Sequence, residues 1–152
     1  MKKALLISLL LGIFFSLKAQ YKQSLGLAFG VPSGIACKTF TSRDRALDFT
    51  LGGFSNFFTI AGMYEIHDKA FNDVNWYYGP GGHLGSWKGN RYGNGMFLGL
   101  DAVLGVELLT EKVPFAFSLD IRPGVNLIGN KWNNENHWLW WQGQLALRYI
   151  LK

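Results

Sequence analysis

The chain has 152 residues, enough for one domain, and carries 15 Lys and Arg against 10 Asp and Glu, a formal net charge of +5. Lys2, Lys3 and Lys18 lie in a leader-like N-terminus, and without them the excess falls to +2, which removes basic charge as a reason to expect nucleic acid. Charged residues make up only 16% of the chain, against ~25% in a typical soluble domain, and the single Cys37 excludes an internal disulfide or a C-x-x-C zinc site.

Lys2 and Lys3 precede an apolar run over residues 4–17, and Leu17-Lys18-Ala19 then offers a small residue for signal peptidase. The expected organisation is a signal peptide over 1–19 and one mature domain over 20–152. The apolar run is shorter than the ~20 residues that a membrane helix requires. The residue after the cleavage site is Gln20 and not a cysteine, so a lipoprotein precursor is not expected.

From there the side chains alternate at a period of two, which is strand periodicity. A first strand over 21–31 sets Leu25, Leu27, Phe29 and Val31 against Ser24, Gly26, Ala28 and Gly30. Pro32-Ser33-Gly34 is a turn, and a second strand follows over 35–41. A third, 46–53, opposes Leu47, Phe49 and Leu51 to Asp48 and Thr50, and a fourth, 57–67, opposes Phe58, Ile60, Tyr64 and Ile66 to Thr59, Ala61, Glu65 and His67. The fifth, 76–87, carries Gly79, Gly81, His83 and Gly85 on one face. The sixth, 96–109, turns Leu98, Leu100, Ala102, Leu104, Val106 and Leu108 one way, and Gly99, Asp101, Gly105 and Glu107 the other.

The clearest case is the seventh, 115–127, where Phe115, Phe117, Leu119, Ile121, Pro123, Val125 and Leu127 form one face and Ala116, Ser118, Asp120, Arg122, Gly124 and Asn126 the other. A polar loop over 128–137 leads to the eighth, 138–151, which sets Trp141, Leu145, Leu147, Tyr149 and Leu151 against Gln142, Gln144, Ala146 and Arg148. The expected fold is therefore all-β: a small eight-stranded antiparallel up-and-down transmembrane β-barrel with strands of ~9–11 residues. Eight strands leave an interior that side chains fill, so no aqueous pore is expected. Aromatics gather at strand ends, as amphipathic rings do at a membrane–water interface. A soluble barrel of lipocalin type has the same alternation with the faces reversed. The small, glycine-rich polar faces argue against it, because a solvated exterior carries many more charges.

Residues 75–85 (N-W-Y-Y-G-P-G-G-H-L-G), 99–107 (G-L-D-A-V-L-G-V-E) and 118–129 (S-L-D-I-R-P-G-V-N-L-I-G) resemble short outer-membrane β-barrel proteins of Gram-negative bacteria. The resemblance covers most of the mature chain, more strongly from Asn75 onward, and implies no reaction. It implies residence in the outer membrane, contact with its lipid, and handling by the barrel-assembly machinery during insertion. One departure is the C-terminus, Tyr149-Ile150-Leu151-Lys152, where such barrels end on an aromatic residue.

The ionic residues of the small faces are Asp48, Glu65, His67, His83, Asp101, Glu107, Asp120, Arg122 and Arg148. A short turn between strands six and seven predicts a register that sets Asp101 opposite Arg122, with Asp120 then reaching Arg148. Asp101, Arg122, Asp120, Arg148, Glu107, Glu65 and His83 are thus expected to form an ionic network in the lumen, each charge paired so that burial is tolerated. The competing reading of these groups is a proton-transfer or binding site. Glu65, His67 and His83 lack metal-ligand spacing, so neither metal nor cofactor is expected. The run at 79–82 (Gly-Pro-Gly-Gly) is not a phosphate loop, since no Lys-Ser/Thr follows, and it suits close approach of strands instead. Cys37 either packs as a small hydrophobe or fills the lumen.

Three functions follow. The first is a monomeric, non-enzymatic outer-membrane barrel acting structurally or through its loops. A barrel enzyme acting on membrane lipids, similar in architecture to the outer-membrane lipid A palmitoyltransferase, is the second, with His137 and Ser86 toward its outer rim. The third is a soluble periplasmic binder of an apolar ligand.

Overall fold

The structure is a computed structural model that describes residues 22–71, 74–89, 93–110, 113–129, 131–132, 135–136 and 139–151. The expected signal peptide and His137 lie outside the described residues.

Eight strands close into an antiparallel barrel: β1 (Gln23–Gly30), β2 (Ser33–Phe40), β3 (Arg45–Phe54), β4 (Phe57–Phe71), β5 (Val74–Gly89), β6 (Gly93–Leu109), β7 (Phe115–Ile128) and, after a short ribbon, β10 (Leu139–Leu151). The ribbon, β8 (Lys131–Trp132) with β9 (Glu135–Asn136), lies in a segment whose composition reads only as a polar loop. Each barrel strand pairs with its neighbours in chain order, and β1 closes the ring against β10. Closure leaves the barrel sheet without an open edge among the described residues.

The strands run from 8 residues in β1 and β2 to 17 in β6, so the barrel is taller on its β4–β7 side than the expected ~9–11 residues per strand allow. Only Ser55–Asn56 separates the paired residues Phe54 and Phe57, with Ser55 left-handed at φ 56°. Chain direction defines two ends. One holds Lys22, Leu151 and the 41–44 turn, here called the terminal end; the other holds the 31–32 and 55–56 turns and the ribbon, the loop end.

Burial shows which of the two alternating faces is inside. Phe117, Leu119 and Ile121 of β7 are 44%, 57% and 50% exposed, whereas Arg122 and its inward neighbours Ser118 and Asp120 are buried. The same division holds around the ring: Leu25, Leu27, Ile35, Phe49, Leu104 and Leu145 face out. The reversed arrangement of a lipocalin-like barrel, with an apolar interior, is therefore not the one adopted. Cys37 lies on the outer face between Leu25 and Phe49, half-buried, so it does not fill the lumen.

Candidate functional site

Every ionic residue assigned to the small faces points inward and is buried, from Asp48, Glu65, Glu107, Arg122 and Arg148 at 0% exposure to His67 at 7%. Their pairings differ from those expected. β6 and β7 place Asp101 opposite Gly124, two residues beyond Arg122. The cause is the connection: Leu109 pairs with Ala116 and Thr110 N–H reaches Phe115 O, a wider closure than a short turn would give. A two-residue slip leaves every side chain on its face and changes only its partners.

Arg122 instead makes a bidentate pair with Asp120, its neighbour on the same face of β7, through Nε (2.7 Å) and Nη2 (3.2 Å). Tyr77 OH donates to the same carboxylate at 2.8 Å. Asp120 does not reach Arg148. Its register partner on β10 is Gln144, and Arg148 crosses the lumen to Asp48 while donating to Ser118 Oγ at 2.6 Å.

The cation that organises the terminal half is Lys38, a residue that sequence reading left out. Its ammonium lies 2.7 Å from Glu65, 3.1 Å from Glu107 and 3.8 Å from Asp48, and sits over the Tyr77 ring at 4.3 Å. The available signal was parity: Lys38 is two positions from Ala36, which shares its inward face. His67 Nε2 meets Glu65 Oε2 at 2.8 Å, and its ring stacks on Tyr77.

At the other end stands a separate group. His83 Nδ1 lies 2.8 Å from both oxygens of Asp101, and Nε2 lies 2.8 Å from Asn126 Oδ1. Phe97 packs against this imidazole and stacks on Trp87. His67 and His83 are not brought together, since they pair with Tyr77 and Ala61 respectively along the same β4–β5 ladder.

Glycines make room for these groups. A Cβ on Gly105 would strike the Tyr77 ring, one on Gly124 the Asp101 carboxylate, and one on Gly99 the His83 ring. At Gly79 it would meet the Tyr64 carbonyl oxygen, which agrees with the close-approach reading of the 79–82 run.

Among the described residues no group of three or more His, Cys, Asp or Glu could hold a metal ion. Ser86 sits on the outer face, paired with Phe58, while the inward imidazole of His83 lies on the opposite face of the same strand. Alternation thus separates Ser86 from the lumen groups. No protein-family model, curated protein or solved structure matches the chain, so function is read from the site alone.

Proposed function

We propose that the chain is a small integral outer-membrane β-barrel of Gram-negative type, monomeric and non-enzymatic, whose filled lumen is structural and whose loops meet surface partners. The supporting observation is the inverted polarity of the barrel, with ion pairs inside and an unbroken apolar belt outside. In water that distribution wastes the hydrophobic effect; in lipid each element of it is favourable. On β6 the outward apolar positions run from Met96 to Leu108. At ~3.3 Å per residue and a tilt of ~40° these span about 30 Å along the barrel axis, enough to cover the ~25 Å apolar band of an outer-membrane barrel. The stacked Trp76 and Tyr78 lie toward the terminal end of this belt, where an aromatic girdle is expected. Outer-membrane lipid is then the solvent of the outer face, and the barrel-assembly machinery is its route of insertion.

The test is gel mobility of the membrane fraction from cells expressing the full chain, with and without boiling. Compact migration that slows on boiling, in the outer-membrane fraction, is the expected result. A protein released with soluble periplasmic contents and indifferent to boiling would overturn the proposal.

A further inference from the structure

The buried charges of the lumen do not balance when its imidazoles are neutral. Asp48, Glu65, Asp101, Glu107 and Asp120 supply five carboxylates, against the three cations Lys38, Arg122 and Arg148. That leaves two negative charges in excess among the described residues. An interior filled by side chains does not keep uncompensated charge; its groups change protonation instead. The remaining buried bases are two imidazoles, His67 in the terminal half and His83 in the other. One proton in each half makes the lumen neutral.

Both imidazoles stand where a proton would be held. His83 faces acceptors on either side, with Asp101 Oδ1 2.8 Å from Nδ1 and Asn126 Oδ1 2.8 Å from Nε2. A neutral imidazole donates from one nitrogen only, so donation from both marks the imidazolium. From β4 the residue opposite His83 is the apolar Ala61, and the charged group against it is Asp101.

In the terminal half His67 lies between two carboxylates, with Nε2 2.8 Å from Glu65 Oε2 and Nδ1 4.0 Å from Glu107 Oε2. Acceptors outnumber donors there. Asp48 Oδ1, Glu65 Oε1 and Glu107 Oε2 lack a partner, against one unpaired donor, Arg148 Nε. The charged groups that converge from the other strands are Lys38 on β2, Asp48 on β3, Glu107 on β6, Asp120 and Arg122 on β7 and Arg148 on β10. β5 adds the Tyr77 hydroxyl, and β1 turns the neutral Ser24 inward. Groups this close titrate together, so the proton belongs to the cluster and not to one residue. His67 also lines a cavity at the terminal end, beside the exposed Lys22, Arg43, Asp68 and Lys69, which gives that proton a way to water.

We propose that the lumen is a pH sensor, neutral and at its most stable only while it holds two protons, one at His83 and one in the cluster around His67. The unfolded chain sets the sign, because its imidazoles lose their protons above pH ~6.5, where its carboxyls are already ionised. The folded barrel then holds more protons than the unfolded chain. Its stability is full below that pH and is lost as pH rises and the lumen releases them. Burial alone sets this balance, so it holds whether lipid or water surrounds the barrel.

The test is urea unfolding of the full chain in maltoside micelles, followed by tryptophan fluorescence from about pH 6 to about pH 9, across the imidazole range. The unfolding constant should climb with pH, by up to about tenfold per unit for each proton held. Asp101→Asn and Glu107→Gln each remove a carboxylate, so each should lower that slope by one proton and the double variant by two. Groups common to all the chains cancel in the comparison. A substitution that only weakens packing shifts every midpoint and leaves the slope alone. A flat profile in the unsubstituted chain, or an unchanged slope in either variant, would overturn the proposal. NMR of the unsubstituted chain with labelled histidine nitrogens keeps the test valid if a variant fails to fold. His83, assigned through its contact with the Phe97 ring, should show both ring nitrogens protonated at neutral pH. A neutral His83 ring would overturn the proposal whatever the variants do.

Discussion

Arg122 pairs with Asp120, two positions away on its own strand, not with a residue of the neighbouring one. Both side chains are buried, and Tyr77 completes the carboxylate's donors. Arg122→Leu removes a bidentate partner and leaves Asp120 with the Tyr77 hydroxyl alone. The expected loss is ~3–5 kcal/mol of stability, because a buried charge loses its counter-ion. In a double-mutant cycle, Arg122→Leu and Asp120→Asn couple strongly. Arg122→Leu and Asp101→Asn add to within ~0.5 kcal/mol, since they share no partner. Urea unfolding followed by tryptophan fluorescence measures both cycles, and strong coupling of Asp101 to Arg122 would restore the shorter-turn register.

Lys38 carries a heavier electrostatic role, with three carboxylates converging on one ammonium. Lys38→Met keeps the chain length and removes the charge, leaving Asp48, Glu65 and Glu107 close together. A loss of ~3–5 kcal/mol is expected, with part of it recovered in Lys38→Met/Glu107→Gln, which neutralises one of the stranded carboxylates. If the double variant is no more stable than Lys38→Met in the same unfolding assay, Lys38 acts by packing and not by charge.

Alternation alone makes the facing of the ion network legible in the sequence. In β7, F-A-F-S-L-D-I-R needs only a period of two to place Asp120 and Arg122 together on the small face. Partners were not legible, because partner identity depends on register, and register depends on how widely the 110–115 connection closes. Intrastrand pairing of Asp120 with Arg122 was available from spacing alone but competed with the cross-strand expectation. Lys38 was obscured because the second strand mixes Cys37 and Thr39 with Ile35 on its outer face, so neither face of β2 is distinct in composition. The Asp48–Arg148 pair joins β3 to β10 across the lumen and has no local signal at all.

Glycine placement gives a steric prediction. Gly105→Ala puts a methyl into the Tyr77 ring and the Asp120 Cβ, and should cost ~1–3 kcal/mol as overpacking. Gly143→Ala is the control: its new Cβ meets nothing within 4 Å, so the variant should be neutral or slightly more stable. The unfolding midpoints of the two variants should therefore move apart. Equal shifts would mean that the Gly105 contact relaxes freely.

Leu119 tests what surrounds the barrel. It lies on β7, 57% exposed, between Phe117 and Ile121 on the outer face. Its side chain meets solvent or lipid more than protein, so Leu119→Arg leaves the ionic lumen untouched. In an aqueous exterior the substitution is nearly neutral, as surface changes generally are. In a bilayer it should cost ~1–3 kcal/mol, between the penalties for a lipid-facing Arg at the interface and at the midplane. Folding yield and urea midpoint are measured in phospholipid vesicles and again in detergent micelles, where the head group can reach water more easily. A loss in vesicles that shrinks in micelles places Leu119 in the hydrocarbon layer. Identical behaviour in both, with no loss against the unsubstituted chain, would mean that the apolar belt does not meet lipid, and the membrane proposal would fall with it.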